Sequence, residues 1–539
     1  MTDFAATAEA IISERLKDDP IHATWTGLHD FDSDLPDVTA EGVARTEEAL
    51  KAHVARLEDF TPGDLTPDER VDYQLLISEL QVHLRELTEL RPYQHDPSLY
   101  PSLAADAVYS IFARDYAPLA QRVPAAAARM RGIPGMLVAG MRNLQRSPKV
   151  WTDIAIEETE GTIEFFEQTV MPLLGTHEGA IAACRAAVAA LAEYGRFLEE
   201  AHARRNGISF AVGREFFDYK LAHEHRVPFT AESLLQFGEE AVRLTQLRLQ
   251  EVAETIDPGA SWPELLERLR DEALPQGDLL THYRKGLQQA REFVVSRGLV
   301  TLPDGETLEI VETPLFQRPT IPYAAYMAPG PFDVRQQGLY YVTPIDQSAT
   351  PTQQREQRVG HNFFGMLLTN VHEGYPGHHL QLVLANQAPS LVRRLHDSTV
   401  FAEGWALYCE QLVLDEGFDD DPRTRLFQLK DQLWRACRVV IDVKLHTGEM
   451  TFDEAVAMLV DVAKLERVNA IGEVRRYTLS PTQPMSYLVG KQQIMDLRER
   501  EKRRLGSAFS LCTFHDRLLS QGTIPIALVE SALEAKGGS

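Results

Sequence analysis

Cysteine is scarce: four residues in 539, at Cys184, Cys409, Cys437 and Cys512, far apart and without a CxxC pair. This leaves no disulfide framework to read and fits reduced, mostly buried thiols in a cytosolic protein. A chain this long buries a large core without such staples. No uninterrupted apolar run of ~18 residues occurs, so no transmembrane helix is expected. The opening stretch, MTDFAATAEAIISERLKDD, has neither a basic leader nor a long apolar run. A secretory signal is therefore not expected, and the expected location is cytoplasmic. Basic side chains are also in deficit, 54 against 79 acidic, for a net charge of −25. A polyanion would be repelled, which argues against nucleic acid or an anionic membrane as partner. Internal repeats and low-complexity tracts are missing as well.

What is present is ordinary globular composition, 44% hydrophobic and 25% charged. Clear linkers are not visible, so the expectation is one large, mainly α body folded in two lobes. An N-terminal helical lobe is expected over 1–299. A lobe with a small sheet and further helices is expected over 300–539, integrated with the first. Thr66-Pro67-Asp68-Glu69 and Thr451-Phe452-Asp453-Glu454 are helix starts with the capping-box pattern. Helical periodicity covers roughly 120–145, 155–204, 230–255 and 277–297. The exception is about 300–348, rich in Pro, Gly, Tyr and β-branched residues. There Leu308–Val311 and Leu339–Thr343 are expected as short strands. The edge of such a sheet could hold an extended peptide by strand addition, with Tyr341 as a substrate contact; a plain structural hairpin is the competing reading.

The most informative segment is Asn370-Val-His-Glu-Gly-Tyr-Pro-Gly-His-His-Leu-Gln381, which follows an apolar helical run. The common zinc-protease element H-E-x-x-H places two histidines one helical turn apart, with the Glu activating water. Here the next histidines after His372-Glu373 come six and seven residues later. In a continuous helix His372 and His379 would share a face but lie ~10.5 Å apart along the axis. Pro376 makes a break more natural, because its ring clashes with the His372 carbonyl and it has no N–H to give. Residues looped out at that break would bring His378 to the second position, and His378 is preferred over His379. A His-Glu pair alone means little, since His177-Glu178 and His223-Glu224-His225 also occur.

A catalytic zinc takes three protein ligands and keeps one position open. The third candidate is Glu403, in Phe401-Ala-Glu-Gly-Trp-Ala-Leu-Tyr-Cys-Glu-Gln411, 25 residues after His378. Glu410, seven further on, shares its helical face and could orient a ligating histidine. The competing reading, a solvated acidic stripe, is weakened by Trp405, Leu407 and Leu412. A last segment, from Arg475-Arg476-Tyr477 to Tyr487 and Lys491-Gln492, concentrates Tyr, Arg, Lys, Pro and Gly before a helix. Tyr487 is the candidate for stabilising an oxyanion. Arg475, Arg476 and Lys491 are candidates for a substrate carboxylate, although each could equally pair with the acidic surface.

HEGYPGHHLQ, FAEGWALYCEQL, QPMSYLVGK and GREFFDYKL together resemble the bacterial domain-of-unknown-function 885 family over most of the chain. That family is distantly similar to the helical zincins: angiotensin-converting enzyme, carboxypeptidase Taq and the thimet-type oligopeptidases. The resemblance implies a mainly helical zincin-like body with a deep cleft, and Zn2+ held by His372, His378 and Glu403. It also implies Glu373 as general base and Tyr487 at the oxyanion. This chain departs from the H-E-x-G-H pattern by two inserted residues. The expected function is a zinc metallopeptidase acting on short peptides or small amide-containing substrates. The rivals are a metal-dependent tailoring enzyme acting on a C–N bond of a small metabolite, and a non-catalytic metal-binding protein.

Overall fold

In a computed structural model, residues 3–205, 207–314, 318, 321 and 323–537 are described. The fold is mainly α with one three-stranded sheet, as expected. Both capping boxes form. Thr66 starts the helix Pro67–Arg85 and Thr451 the helix Phe452–Asp461, each with the reciprocal Glu bond three residues on. The periodic stretches become the helices Leu119–Asn143, Ala231–Ile256 and Leu279–Arg297. The stretch 155–204 is not one helix. Lys149–Glu164 runs into a π-helical turn, and the chain breaks after Leu173 before Glu178–Phe197 begins. Gly175 takes φ +56° at that break, and the His177 side chain accepts from the Ala180 N–H to cap the new helix.

The chain divides into two compact units. One comprises 1–212 with 314–317 and 330–334; the other comprises 213–313, 318–329 and 335–539. Residues 213–299, expected with the N-terminal helices, thus pack in the second unit. The reason is the apolar face of Ala231–Ile256, which lies along the helix Pro422–His446; a Cβ on Gly238 would meet Val439 Cγ1 at 2.9 Å. In the first unit, Arg129 is fully buried and its guanidinium is used throughout. It donates to the carbonyls of Asp34, Ala107 and Pro20 and to the hydroxyls of Ser110 and Thr24.

The second unit holds the sheet, β1 (Thr307–Glu312), β2 (Ala324–Met327) and β3 (Gln337–Val342), in the order β1-β3-β2. β3 is parallel to β1 and antiparallel to β2. The two expected strands are present. β2 escaped the reading because four residues carry too little alternation. Strand addition onto 339–343 itself is not open, since β3 is the central strand and both its edges are already paired; the outer edges of the sheet belong to β1 and β2. Tyr341 is its next-to-last residue, opposite Val311 and Ala325, and is buried.

The helix Phe363–Glu373 packs on β2 and on the helices Thr399–Asp415 and Pro422–His446, and His378–Ala385, Arg467–Leu479 and Ser486–Leu505 pack onto those two. Thr399–Asp415 is apolar on nearly every side and runs through the core, burying Phe401, Trp405, Leu407, Tyr408 and Leu412. It meets Ser486–Leu505 with backbones almost touching, at Gly404 against Gly490. A Cβ on Gly490 would stand 1.8 Å from the Val400 carbonyl oxygen and 2.8 Å from the Gly404 Cα.

This contact yields a stability test. Gly490→Ala should destabilise the protein by roughly 1–3 kcal/mol, because neither helix can move apart without losing its other contacts. Gly472→Ala, in the exposed middle of Arg467–Leu479 with no atom within 4 Å of the new methyl, should raise stability slightly. Thermal unfolding of the two variants beside the parent checks both signs.

Candidate metal centre

The helix Phe363–Glu373 starts on an Asn362 cap and carries His372 in its last turn. It stops where Pro376 deprives it of a donor. The Gly374 N–H still reaches the Asn370 carbonyl, and the Gly377 N–H reaches back to the Val371 carbonyl at 3.0 Å. A new helix then begins at His378. The Pro376 carbonyl accepts a 2.7 Å bond from the buried Trp405 indole N–H, which holds the looped-out residues against the Glu403 helix. Only glycine fits at 377, where a Cβ would lie 1.9 Å from the His372 carbonyl oxygen.

The break turns the two neighbouring histidines toward different partners. His378 faces His372, with ring centroids 4.8 Å apart and planes at 85°. Its Nε2 lies 3.2 Å from Glu403 Oε2, and His372 Nε2 lies 3.6 Å from the same oxygen. His379, the alternative second ligand, is committed elsewhere. Its Nε2 is 2.7 Å from Glu306 Oε2 and its Nδ1 3.1 Å from the Tyr326 hydroxyl. Gly338 on β3 leaves room for this, because a Cβ there would sit 2.7 Å from His379 Nδ1. Tyr375 donates to the same Glu306 oxygen, and Arg291 pairs with the other.

Ligand atoms of His372, His378 and Glu403 all lie within 4.8 Å of one another, the one such group found among the described residues. Tetrahedral zinc with bonds of about 2.1 Å sets its donors about 3.4 Å apart, close to the 3.2 and 3.6 Å seen here. Glu403 Oε2 is buried and makes no properly directed hydrogen bond. The oxygen nearest both imidazoles thus has an unused lone pair, as a cation would require. Glu410, two turns along the same face from Glu403, is buried and holds His372 Nδ1 at 2.8 Å. With Nδ1 donating to that carboxylate, a neutral His372 carries its lone pair on Nε2, toward the cluster.

The electrostatics agree with a cation site. Burial acts against charge on His372, yet its contacts with Glu403 and Glu410 and the charge of Glu373 push its pKa up to about 10. Burial would raise the Glu403 carboxyl, but His378 and His372 hold it well below the usual range. Glu373 is raised, mainly by burial and against the pull of His372 and His378. It makes no hydrogen bond or ion pair among the described residues, so its carboxylate is uncommitted.

Tyr487 comes to the site on the first turn of its helix, its ring 6.5 Å from that of His372 and inclined by 20°. Its hydroxyl likewise has no hydrogen bond among the described residues. The loop before it is pinned by buried Asp442, which accepts from the Thr482 and Met485 N–H groups. The expected carboxylate binders fare differently. Lys491 is buried and donates to Gln432 at 2.6 Å. Arg476 is bound to Glu473 and Gln483. Arg475 is half-exposed on the same helix. Instead, Arg435 and Arg438 of Pro422–His446 reach Tyr487, 5.7 and 4.6 Å from its ring. Neither arginine is among the residues expected at the site from sequence. The available signal was an i, i+3 arginine pair beside Trp434.

The chain matches a family described as "Bacterial protein of unknown function (DUF885)" over residues 20–533. A solved structure of a "putative lipoprotein of unknown function" from Shewanella oneidensis is 28% identical and superposes with a TM-score of 0.82, covering 99% of this chain and 100% of the other. A second "putative lipoprotein", from Colwellia psychrerythraea, is 18% identical, with a TM-score of 0.81 and 99% of each chain covered. No curated protein matches.

Two measurements follow from the geometry. A divalent ion needs a neutral His372 Nε2, and a pKa raised to about 10 leaves that imidazole protonated at pH 7.5. Ion binding at that pH should therefore release about one proton from His372, and affinity should weaken as pH falls. Calorimetry in buffers of different ionisation enthalpy measures the release. Glu410→Ala should weaken ion binding roughly 10–100-fold by freeing the His372 ring, read by competition with a chelating dye.

Proposed function

We propose that this chain, which belongs to the DUF885 family, is a zinc-dependent hydrolase that cleaves amide bonds in short peptides or small peptide-like substrates. The observation that carries the reading is the His372–His378–Glu403 cluster with the uncommitted Glu373 carboxylate beside it. Two imidazoles and one carboxylate form the donor set of catalytic zinc sites that keep a fourth position for water. The likeness of the motif to the helical zincins supports the same assignment.

Zinc in this site would acidify a water and polarise the scissile carbonyl. The remaining work falls to the chain's own side chains. Glu373 takes the proton from the attacking water, and its raised pKa suits a group that must then give that proton up. Water oxygen bonds to the acyl carbon, the C–N bond breaks, and the nitrogen leaves with the proton from Glu373. The Tyr487 hydroxyl donates to the carbonyl oxygen as it gains charge. Glu410 keeps His372 in one tautomer and one orientation throughout. We propose a cytoplasmic setting, consistent with four free cysteines, three of them buried.

Protein purified without chelator should carry about one equivalent of zinc and release products from a peptide library. Glu373→Gln should keep the zinc and lose roughly 10²–10⁴-fold in turnover. Zinc-loaded Glu373→Gln protein that hydrolyses peptides at the parent rate would rule this mechanism out.

A further inference from the structure

A dense group of side chains beside the metal centre is left over by that mechanism. Trp434, Arg435 and Arg438 project from one turn of the helix Pro422–His446. Both guanidinium groups lie over the Trp434 ring, at 4.5 and 4.3 Å, and both also approach the Tyr487 ring. The two cations therefore sit between two aromatic faces that restrict how they can turn. Arg438 spends its Nε on the Tyr477 hydroxyl and one terminal nitrogen on Glu473. Its other terminal nitrogen, Nη1, is buried without a partner. Arg435 reaches Asp431 only loosely, at 3.7 Å, and its Nε is also buried without a partner.

The contrast with Arg129 is informative. That buried guanidinium has an acceptor on each of its nitrogens. Leaving a charged donor unpaired in the interior costs more than a lost neutral bond, so two such donors side by side call for an anion from outside the chain. The local charge agrees. Arg476 shares Glu473 with Arg438, and Lys430 shares Asp431 with Arg435. In direct ion pairs these four cations share two carboxylates, with Glu373 and Glu466 acting on Arg435 and Lys430 from farther off.

Position identifies the anion. Arg438 is 4.6 Å from the Tyr487 ring, which is 6.5 Å from the His372 ring. Arg435 is also close enough to act on the charge of Glu373. An extended residue spans about 3.5 Å. The Arg438 guanidinium is no farther from the His372 ring than those two ring distances added, and once hydrogen-bond reach at both ends is allowed for, that bound admits about one residue. The acid group one residue beyond a scissile amide is the carboxylate of a C-terminal amino acid, and a guanidinium pair binds it through charge-assisted bonds.

We propose that Arg435 and Arg438 form a carboxylate subsite that receives the free C-terminus of a peptide, so that the enzyme removes one amino acid at a time from that end. This rests on the hydrolase reading of the adjacent cluster. Arg435 is the more open of the two groups and is the residue to vary.

The test uses zinc-loaded Glu373→Gln protein and an N-acetylated tripeptide, as the free acid and as the C-terminal amide. Calorimetry should show the acid binding roughly 10–100-fold tighter. Adding Arg435→Ala should remove most of that preference, and Arg435→Lys should restore part of it, with the zinc content unchanged. The parent enzyme should release a free amino acid as first product and should leave the amide intact. Equal binding of acid and amide, a preference that survives Arg435→Ala, or internal cleavage overturns the subsite. A preference for the acid without any turnover by the parent supports the subsite and overturns the hydrolase reading instead.

Discussion

The carboxylate of Glu403, buried between two imidazoles, is the constraint on which the second unit is organised. An uncompensated carboxylate in the interior costs several kcal/mol. Here compensation must come from His372 and His378, which lie on the far sides of a helix break. Three helical segments thus meet at that carboxylate. The second carboxylate, Glu410, is spaced from Glu403 so that both lie on one face of a helix whose other faces are apolar. The same electrostatics raises His372, depresses Glu403 and leaves Glu373 as the group with no fixed partner.

The break itself is built from close approaches rather than from flexibility. Gly377 leaves room for the His372 carbonyl, and Trp405 supplies the donor that the Pro376 carbonyl would otherwise lack. The helix that follows is clamped from two sides by consecutive residues. His378 engages the Glu403 helix, and His379 engages Glu306 and Tyr326 at the sheet. The sheet thus has a role in holding the break. Its central strand, through Gly338, makes space for the histidine that faces away from the cluster. On the opposite flank, the Gly404–Gly490 contact sets Tyr487 at the height of His372.

Much of this was legible beforehand where the controlling physics is local. A Thr cap with Glu three residues on determines a helix start through bonds inside one turn, and both predicted boxes formed. The helical spacing of Glu403 and Glu410, and the inability of Pro376 to continue a helix, are equally local. The cations were the least legible candidates. Lys491 and Arg476 look free in a list of residues but are taken by Gln432 and Glu473, side chains that are remote or on the next helical turn back. Arg435 and Arg438 look like ordinary helix residues until one counts which of their donors lack acceptors.

By itself, then, the sequence determined a mainly helical chain with a short sheet, the position of the helix break and the residue types able to hold a cation. Tertiary structure alone decided that His378 rather than His379 faces Glu403, that the 337–342 strand is interior to its sheet, and that two arginines reach Tyr487 with donors to spare. The physical reason is range. Caps, periodicity and proline act over a few residues, whereas the direction of a side chain after a break depends on partners such as Trp405 and Glu306, which only the fold brings within reach.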